Sequence, residues 1–203
     1  MTRVLYFVHD PMCSWCWAFR PVWDAVVRGL PEDVEVRRLL GGLAPDSDEP
    51  MPREMRQKLQ GIWRVIRQKV PGTEFNFDFW EKCRPRRSTF PACRAVIAAR
   101  WQGVEYKESM IFAIQRAYYL EARNPSDSDT LVSLAGKLGM DADRFSRDLA
   151  FTAARDELAD EIYRCRSMGV MSFPSLVLES GGTRRLLQHN YLDAELILSQ
   201  IAG

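Results

Sequence analysis

The sequence predicts an α/β protein, a central mixed β-sheet flanked by helices and interrupted midway by a large α-helical insertion. Three observations predict it. At the N-terminus an apolar run at 4–8, a helical stretch from 14 to about 29 and a second β-like run at 33–40 follow one another closely. A strand, a helix and a strand in that order imply parallel pairing and a right-handed crossover. Near the C-terminus, Gly181-Gly182 separates two strand-like runs, 174–179 and 183–188, as a two-residue hairpin turn does. Between these ends, a helical pattern starts beyond the Pro-, Asp-, Ser- and Glu-rich stretch 44–52 and continues to about Met168.

Taken in order, Val4, Leu5, Tyr6, Phe7 and Val8 read as a buried strand that Pro11 ends. The helix after it carries Trp17, Phe19, Val22, Trp23, Val26 and Val27, a spread suited to burial against a sheet, and Gly29 and Pro31 close it. Gly41-Gly42 ends the next strand; lacking the surrounding phosphate-loop pattern, it reads as a turn. Within the insertion, helices are expected at 51–70, 91–102, 105–123, 126–138 and 141–167, the last broken near Phe151. The stretch 73–91 is irregular and aromatic. Ser126-Asp127-Ser128-Asp129 is a start signal and Gly139 a stop. A last helix at 192–201 covers the sheet. The expected division is therefore 1–45 with 169–203 as the sheet-bearing core, and 46–168 as the helical insertion.

Composition limits the function classes. With 203 residues the chain can bury a substantial core, and a net charge of +1 gives no pointer to nucleic acid or an anionic membrane. No apolar run approaches membrane-spanning length, and no signal-peptide pattern precedes the first strand. These features give the expectation of a cytoplasmic protein without nucleic-acid or membrane partners. Oligomeric state is not legible. Five cysteines, an odd number, argue against a disulfide-stapled secreted framework.

The chemistry points to Cys13-Ser14-Trp15-Cys16. A Cys-x-x-Cys where a strand hands over to a helix places Cys13 against the free N–H groups and positive dipole end of that helix. That field favours thiolate, the nucleophile of disulfide exchange. Cys13 is thus the expected attacking thiol and Cys16 the resolving one. A structural zinc site would need a second pair or two close histidines, and the only histidines, His9 and His189, stand far apart. No metal is expected. His9 and Asp10 are the titratable groups nearest the pair and are candidates for proton transfer, against the plainer readings of strand end and turn cap. Met12, Trp15, Trp17, Met171 and Phe173 could form an adaptable apolar rim for substrate. Proline costs about 3 kcal/mol inside a helix, so Pro21 in the helix after Cys16 is a marked feature, and Pro174 opens a strand, where proline is tolerated.

At this point Asp-Pro-Met-Cys-Ser-Trp-Cys-Trp-Ala-Phe at 10–19, Ser88 to Ala95, and Gly169-Val170-Met171-Ser172-Phe173-Pro174 together resemble the DsbA family of thioredoxin-fold thiol–disulfide oxidoreductases. The resemblance is to its cytoplasmic, FrnE-type branch and covers essentially the whole chain. It implies a thioredoxin-like fold with a helical insertion, a redox-active disulfide with no bound cofactor, and partners that are protein or small-molecule thiols and disulfides. It also implies a cis bond before Pro174, with Phe173 and Pro174 beside the active cysteines where an extended substrate pairs. Catalytic Cys13 and Cys16, with substrate-binding Met12, Trp15, Phe173 and Pro174, make up the expected site. One departure stands out: many thioredoxin-fold proteins carry a buried carboxylate six residues before the first cysteine, and here that position is Phe7.

The same fold is similar to kappa-class glutathione transferases and 2-hydroxychromene-2-carboxylate isomerases, which use one serine or cysteine. Glutathione is therefore a candidate co-substrate, and a glutathione-dependent transferase or isomerase is the alternative. Arg84, Arg86 and Arg87 could hold glutathione carboxylates, although a solvated basic loop is the plainer reading. Cys83 and Cys93 could form a regulatory disulfide; free cysteine is more commonly a small buried hydrophobe, the reading given to Cys165.

Overall fold

The computed structural model describes residues 3–203. Strands β1 (Arg3–His9) and β2 (Val34–Leu40) flank helix α1 (Ser14–Gly29). They pair in parallel with Arg3 opposite Val34 and His9 opposite Leu40. Strands β3 (Ser175–Ser180) and β4 (Thr183–Leu187) form the C-terminal hairpin, and β3 runs antiparallel to β1 with Leu5 opposite Leu178. The sheet order is β2-β1-β3-β4, a mixed thioredoxin-like sheet with β1 inside it. Being paired on both edges, β1 is apolar along most of its length, which explains its uninterrupted run of hydrophobic residues.

The helices between β2 and β3 are α2 (Arg53–Lys69), α3 (Phe79–Lys82), α4 (Phe90–Gln102), α5 (Tyr106–Tyr119), α6 (Ser128–Lys137), α7 (Ala142–Ala150) and α8 (Thr152–Ser167), and α9 (Glu195–Ala202) closes the chain. The expected break near Phe151 is the junction of α7 and α8. The aromatic stretch expected to be irregular holds the single turn of α3, with Phe79 and Trp80 buried. The last helix begins later than expected, at Glu195 rather than 192, because Asn190 and Asp193 accept backbone N–H bonds there as turns do.

Two apolar clusters sandwich the sheet. On one face Leu5, Phe7, Phe19, Trp23, Val26, Leu176, Leu178, Ile197 and Ile201 pack beneath α1 and α9. On the other, Val8, Leu39, Val170 and Val177 pack with Cys165 of α8. Helix α8 therefore belongs partly to the sheet, although it lies within 46–168. Its buried Glu161 accepts the Leu40 backbone N–H at 2.7 Å, fastening the end of β2. A third cluster centred on Trp63, with Phe75, Phe79, Trp80, Tyr118 and Tyr119 around it, fills the helical region. It also includes Met12 and Ala18, so the helical region packs directly against the start of α1.

Candidate active site

Strand β1 ends at His9, and the chain then makes the sharp turn that starts α1. The Cys13 N–H donates to the Asp10 carbonyl at 3.0 Å, and the Cys13 carbonyl accepts from the Trp17 N–H. Cys13 is therefore the N-cap of α1 with its Sγ at the helix mouth, and no acidic residue stands in the first turn to oppose a thiolate. All five cysteines are free. Cys13 and Cys16 are 7% and 3% exposed, so only a small face of Cys13 meets solvent.

The surroundings drive the two thiols apart. Cys13 is held below the ordinary thiol range, first by the hydrogen bond from Cys16, against burial, and then by the backbone N–H groups of Cys16 and Trp15. Cys16 is raised well above it, chiefly by burial and then by Cys13. One thiol of the pair is biased toward thiolate and its neighbour toward the protonated form. The Cys13 thiol also donates to the Phe173 carbonyl at 3.6 Å, which brings the β3 approach beside the pair. The Phe173–Pro174 peptide bond is cis, and Pro174 is buried.

Asp10 is wholly buried, and four donors converge on its carboxylate. Met12 N–H reaches Oδ1 at 2.7 Å, while Leu43 N–H at 2.7 Å, Thr89 Oγ1 at 2.6 Å and Cys93 Sγ at 3.6 Å all reach Oδ2. The residue thus ties the cysteine loop to the turn after β2 and to the start of α4. Burial nevertheless raises its pKa, with those hydrogen bonds acting the other way. His9 is equally buried, stacks on Phe7 at 5.3 Å, and has neither ring nitrogen hydrogen-bonded. Its pKa is pushed well down, first by burial and then by the charges of Arg38, Lys107 and Arg20.

The expected rim is only partly assembled. Trp15 is half-buried with its ring 4.8 Å from that of Tyr191, Phe173 is half-buried, and Met171 is 86% exposed. Met12 is 7% exposed and belongs to the helical core, not to an open rim. Trp17 stacks on Tyr119 at 5.6 Å and donates its indole N–H to the Glu74 carbonyl at 3.1 Å. Arg86 is occupied by the Asp127 carboxylate at 2.7 Å and by the Ser126 carbonyl. It lines a polar groove of about 850 Å³, with Arg94 and Arg155, that includes neither Cys13 nor Cys16. Cys83 donates to the Ala122 carbonyl at 3.1 Å, whereas Cys93 points at Asp10, so the two thiols serve different contacts.

Sequence reading missed three contributors. The first is Trp63, whose indole N–H donates to Ser14 Oγ at 2.9 Å from beneath the Cys-x-x-Cys loop. The second is the pair Thr89 and Cys93 in the 88–95 stretch that carried the resemblance: Thr89 had no assigned role, and Cys93, considered only as a disulfide partner of Cys83, instead meets Asp10. The third is Gly41: a Cβ there would stand 2.0 Å from the Phe173 ring. The turn reading of Gly41-Gly42 accounts for Gly42, whose φ is +63°, while Gly41 is required for close approach. Gly41→Ala should push Phe173 and the segment before β3 away from Cys13. The expected result is at least a tenfold loss of disulfide-exchange rate with a folded spectrum, measured by stopped-flow and circular dichroism.

A helix-capped dithiol beside the segment entering an antiparallel strand, on a mixed sheet with a helical insertion, is the fold of the DsbA-like thiol–disulfide oxidoreductases. The chain belongs to the thioredoxin family, whose profile it matches over residues 6–183. Among solved structures it is similar to a Nitrosomonas europaea protein described provisionally as a protein disulfide isomerase, at 29% identity and TM-score 0.84, covering 100% of this chain and 97% of that one. It is also similar to the cytosolic disulfide reductase DsbM of Pseudomonas aeruginosa, at 26% identity and TM-score 0.73, covering 91% and 89%. Among curated proteins it resembles the ClpXP adapter protein SpxH of Halalkalibacterium halodurans, 24% identical over 85% of this chain, and that of Bacillus subtilis, 22% identical over 98%. The chain spans 57% and 67% of the lengths of those two relatives. Among the described residues no helix is long and apolar enough to cross a membrane.

Proposed function

We propose that this protein is a thiol–disulfide oxidoreductase that reduces or isomerises disulfides through Cys13, with Cys16 as the resolving thiol. The observation that carries this reading is the opposed setting of the two thiols within one buried pair at a helix N-terminus. Cys13 thiolate attacks a substrate disulfide and expels one substrate thiolate. Cys16 then loses its proton and attacks the mixed disulfide, which releases the second substrate thiolate and leaves Cys13–Cys16 oxidised. Trp15, Phe173 and the exposed Met171 are the contacts offered to the incoming chain. Of the two candidates for the Cys16 proton, Asp10 is the better acceptor, because burial raises a carboxylate and lowers an imidazole.

Glutathione is proposed as the reductant and the cytoplasm as the compartment, by analogy with cytosolic DsbM, which has also been solved with GSH. The test is the equilibrium redox titration of the pair in glutathione buffers, followed by tryptophan fluorescence. One two-electron transition near the cytosolic poise, about −220 to −320 mV, is expected for a reductase or isomerase. A strongly oxidising value would make the protein a dithiol oxidase instead. With no two-electron transition, the glutathione transferase or isomerase alternative takes over.

The adapter relatives favour a second reading, a protein-binding module built on the Trp15, Met171 and Phe173 surface. It predicts aggregation suppression that survives loss of both Cys13 and Cys16.

A further inference from the structure

Helix α2 carries six cations and a single carboxylate, Glu54, in a chain whose net charge is +1. At 3.6 residues per turn, Arg53, Arg56, Gln60, Arg64 and Arg67 fall within an arc of about 80° and make a stripe along one flank of the helix. Arg53, Arg64 and Arg67 are exposed, and Arg56 is half-buried. Helix arginines elsewhere are paired: Arg94 with Asp46, Arg100 with Glu157 and Glu161, Arg144 with Asp148. Among the described residues no carboxylate lies within ion-pair distance of any α2 cation. What holds the stripe is neutral. Arg56 donates to the Trp80 carbonyl, and the Arg64 guanidinium carbon stands 5.4 Å from the Phe77 ring centroid. A guanidinium fixed by a carbonyl or a ring face keeps the N–H groups that grip a carboxylate in a two-pronged pair. Arg56, Gln60, Arg64, Arg67, Phe77 and Trp80 line an open groove of about 560 Å³, in which Glu81 is the one carboxylate. Trp80 also has a buried indole N–H without a partner.

We propose that this arginine stripe docks an acidic stretch of the polypeptide whose disulfide Cys13 attacks. The inference rests on the oxidoreductase reading and adds to it a class of substrate, disulfides accompanied by Asp and Glu. The stripe adjoins the redox loop: Trp63, the residue before Arg64, donates to Ser14 Oγ, and Arg67 lines a hollow with Glu74, whose carbonyl accepts the Trp17 indole N–H. From Arg53 to Arg67 the helix rises about 21 Å, the reach of an extended segment of about six residues. Carboxylates on one side of that segment meet the guanidinium groups. Phe77, half-buried in the groove, offers the intervening side chains a ring to pack on, which favours a polypeptide over a lipid headgroup.

The experiment compares two peptides, each a cysteine capped as a 2-pyridyl disulfide with a short tail, alternating Glu and Ser in one and Gln and Ser in the other. The protein carries Cys83→Ser, which removes the half-exposed thiol. Cys13 thiolate attacks the peptide sulfur and forms the Cys13–peptide disulfide. The expelled pyridine-2-thiolate takes up a proton and absorbs as the thione. Cys16 then gives up its proton to solvent, displaces the peptide thiolate and closes the Cys13–Cys16 disulfide. The acidic peptide should react about tenfold faster at low salt, and salt near 1 M should bring the two rates together. Arg64→Gln combined with Arg67→Gln should cut the acidic rate to near the neutral one. A fluorescent acidic peptide with serine for its cysteine should bind the parent in anisotropy titrations and bind the double variant about tenfold more weakly. Equal rates for the two peptides, or an acidic preference that survives in the double variant, overturns the proposal. So do phosphatidylglycerol vesicles that bind the parent when the acidic peptide does not. A parent that fails to react with either peptide loses the oxidoreductase reading, and this inference with it; one that reacts with both alike loses only this inference.

Discussion

Cys13→Ala should abolish turnover of any disulfide substrate, a loss of at least a thousandfold that leaves the fold intact. Cys13 is the thiol of the pair with solvent access and with a stabilised anion, and no other cysteine has both. Cys93 is wholly buried, Cys165 is pushed up to about 12 by burial, and Cys83 is raised for the same reason. An active Cys13→Ala protein would end the assignment. Cys16→Ala has the complementary outcome: a single attack followed by accumulation of mixed disulfide, visible by mass spectrometry without reductant.

The same Cys16 variant gives a titration result whose sign follows from the site. The Cys16 hydrogen bond is the first cause of the depressed Cys13 pKa. Removing it raises that pKa, lowers the thiolate fraction at neutral pH and moves the midpoint of alkylation against pH upward. An unchanged midpoint would assign the depression to the helix N-terminus alone. The glutathione-enzyme alternative is tested in the same series, because it predicts that Cys16→Ser retains activity.

Much of this was legible in the sequence because the strongest signals are local. A strand of five apolar residues, a proline, and a Cys-x-x-Cys opening a helix depend on neighbours within one turn, and α1 spans 14–29 as expected. Gly181-Gly182 gives the hairpin for the same reason. What stayed hidden depends on side chains meeting across long sequence distances. Trp63 is a fully buried core residue, yet its single polar atom reaches Ser14 from 49 residues away. Arg38 lies in the β-like run at 33–40, whose sequence does not show its burial; Trp23 of α1 and Glu108 of α5 cover it across the sheet. Met12 carries no periodic signal, being in a turn, and the insertion alone decides that it is covered.

Asp10 ties the cysteine loop to two other elements, and Asp10→Ala should be the most damaging change outside the cysteine pair. It leaves the buried N–H groups of Met12 and Leu43 without an acceptor, and the Thr89 hydroxyl with only the longer contact to the Ala44 carbonyl at 3.4 Å. At about 1–3 kcal/mol for each unmet buried donor, partly relieved by relaxation, a loss of roughly 3–5 kcal/mol is expected in chemical denaturation. Asp10→Asn separates charge from shape. The Asp10 charge raises both Cys13 and Cys16, so its removal should lower both alkylation midpoints. If Asp10 accepts the Cys16 proton, resolution of the mixed disulfide should nevertheless slow in Asp10→Asn; resolution as fast as in the parent would leave Asp10 only its structural work. The pH dependence of stability gives a third readout. Burial raises the Asp10 pKa in the fold, so the folded state holds its proton more tightly than the unfolded chain does. The stability from that protonated form is complete below the ordinary aspartate value of about 3.9 and is lost as pH rises through the folded value. The parent should therefore lose stability relative to Asp10→Asn across that window, whereas a difference that grows with pH would mean that its four donors outweigh burial and hold the carboxylate ionised.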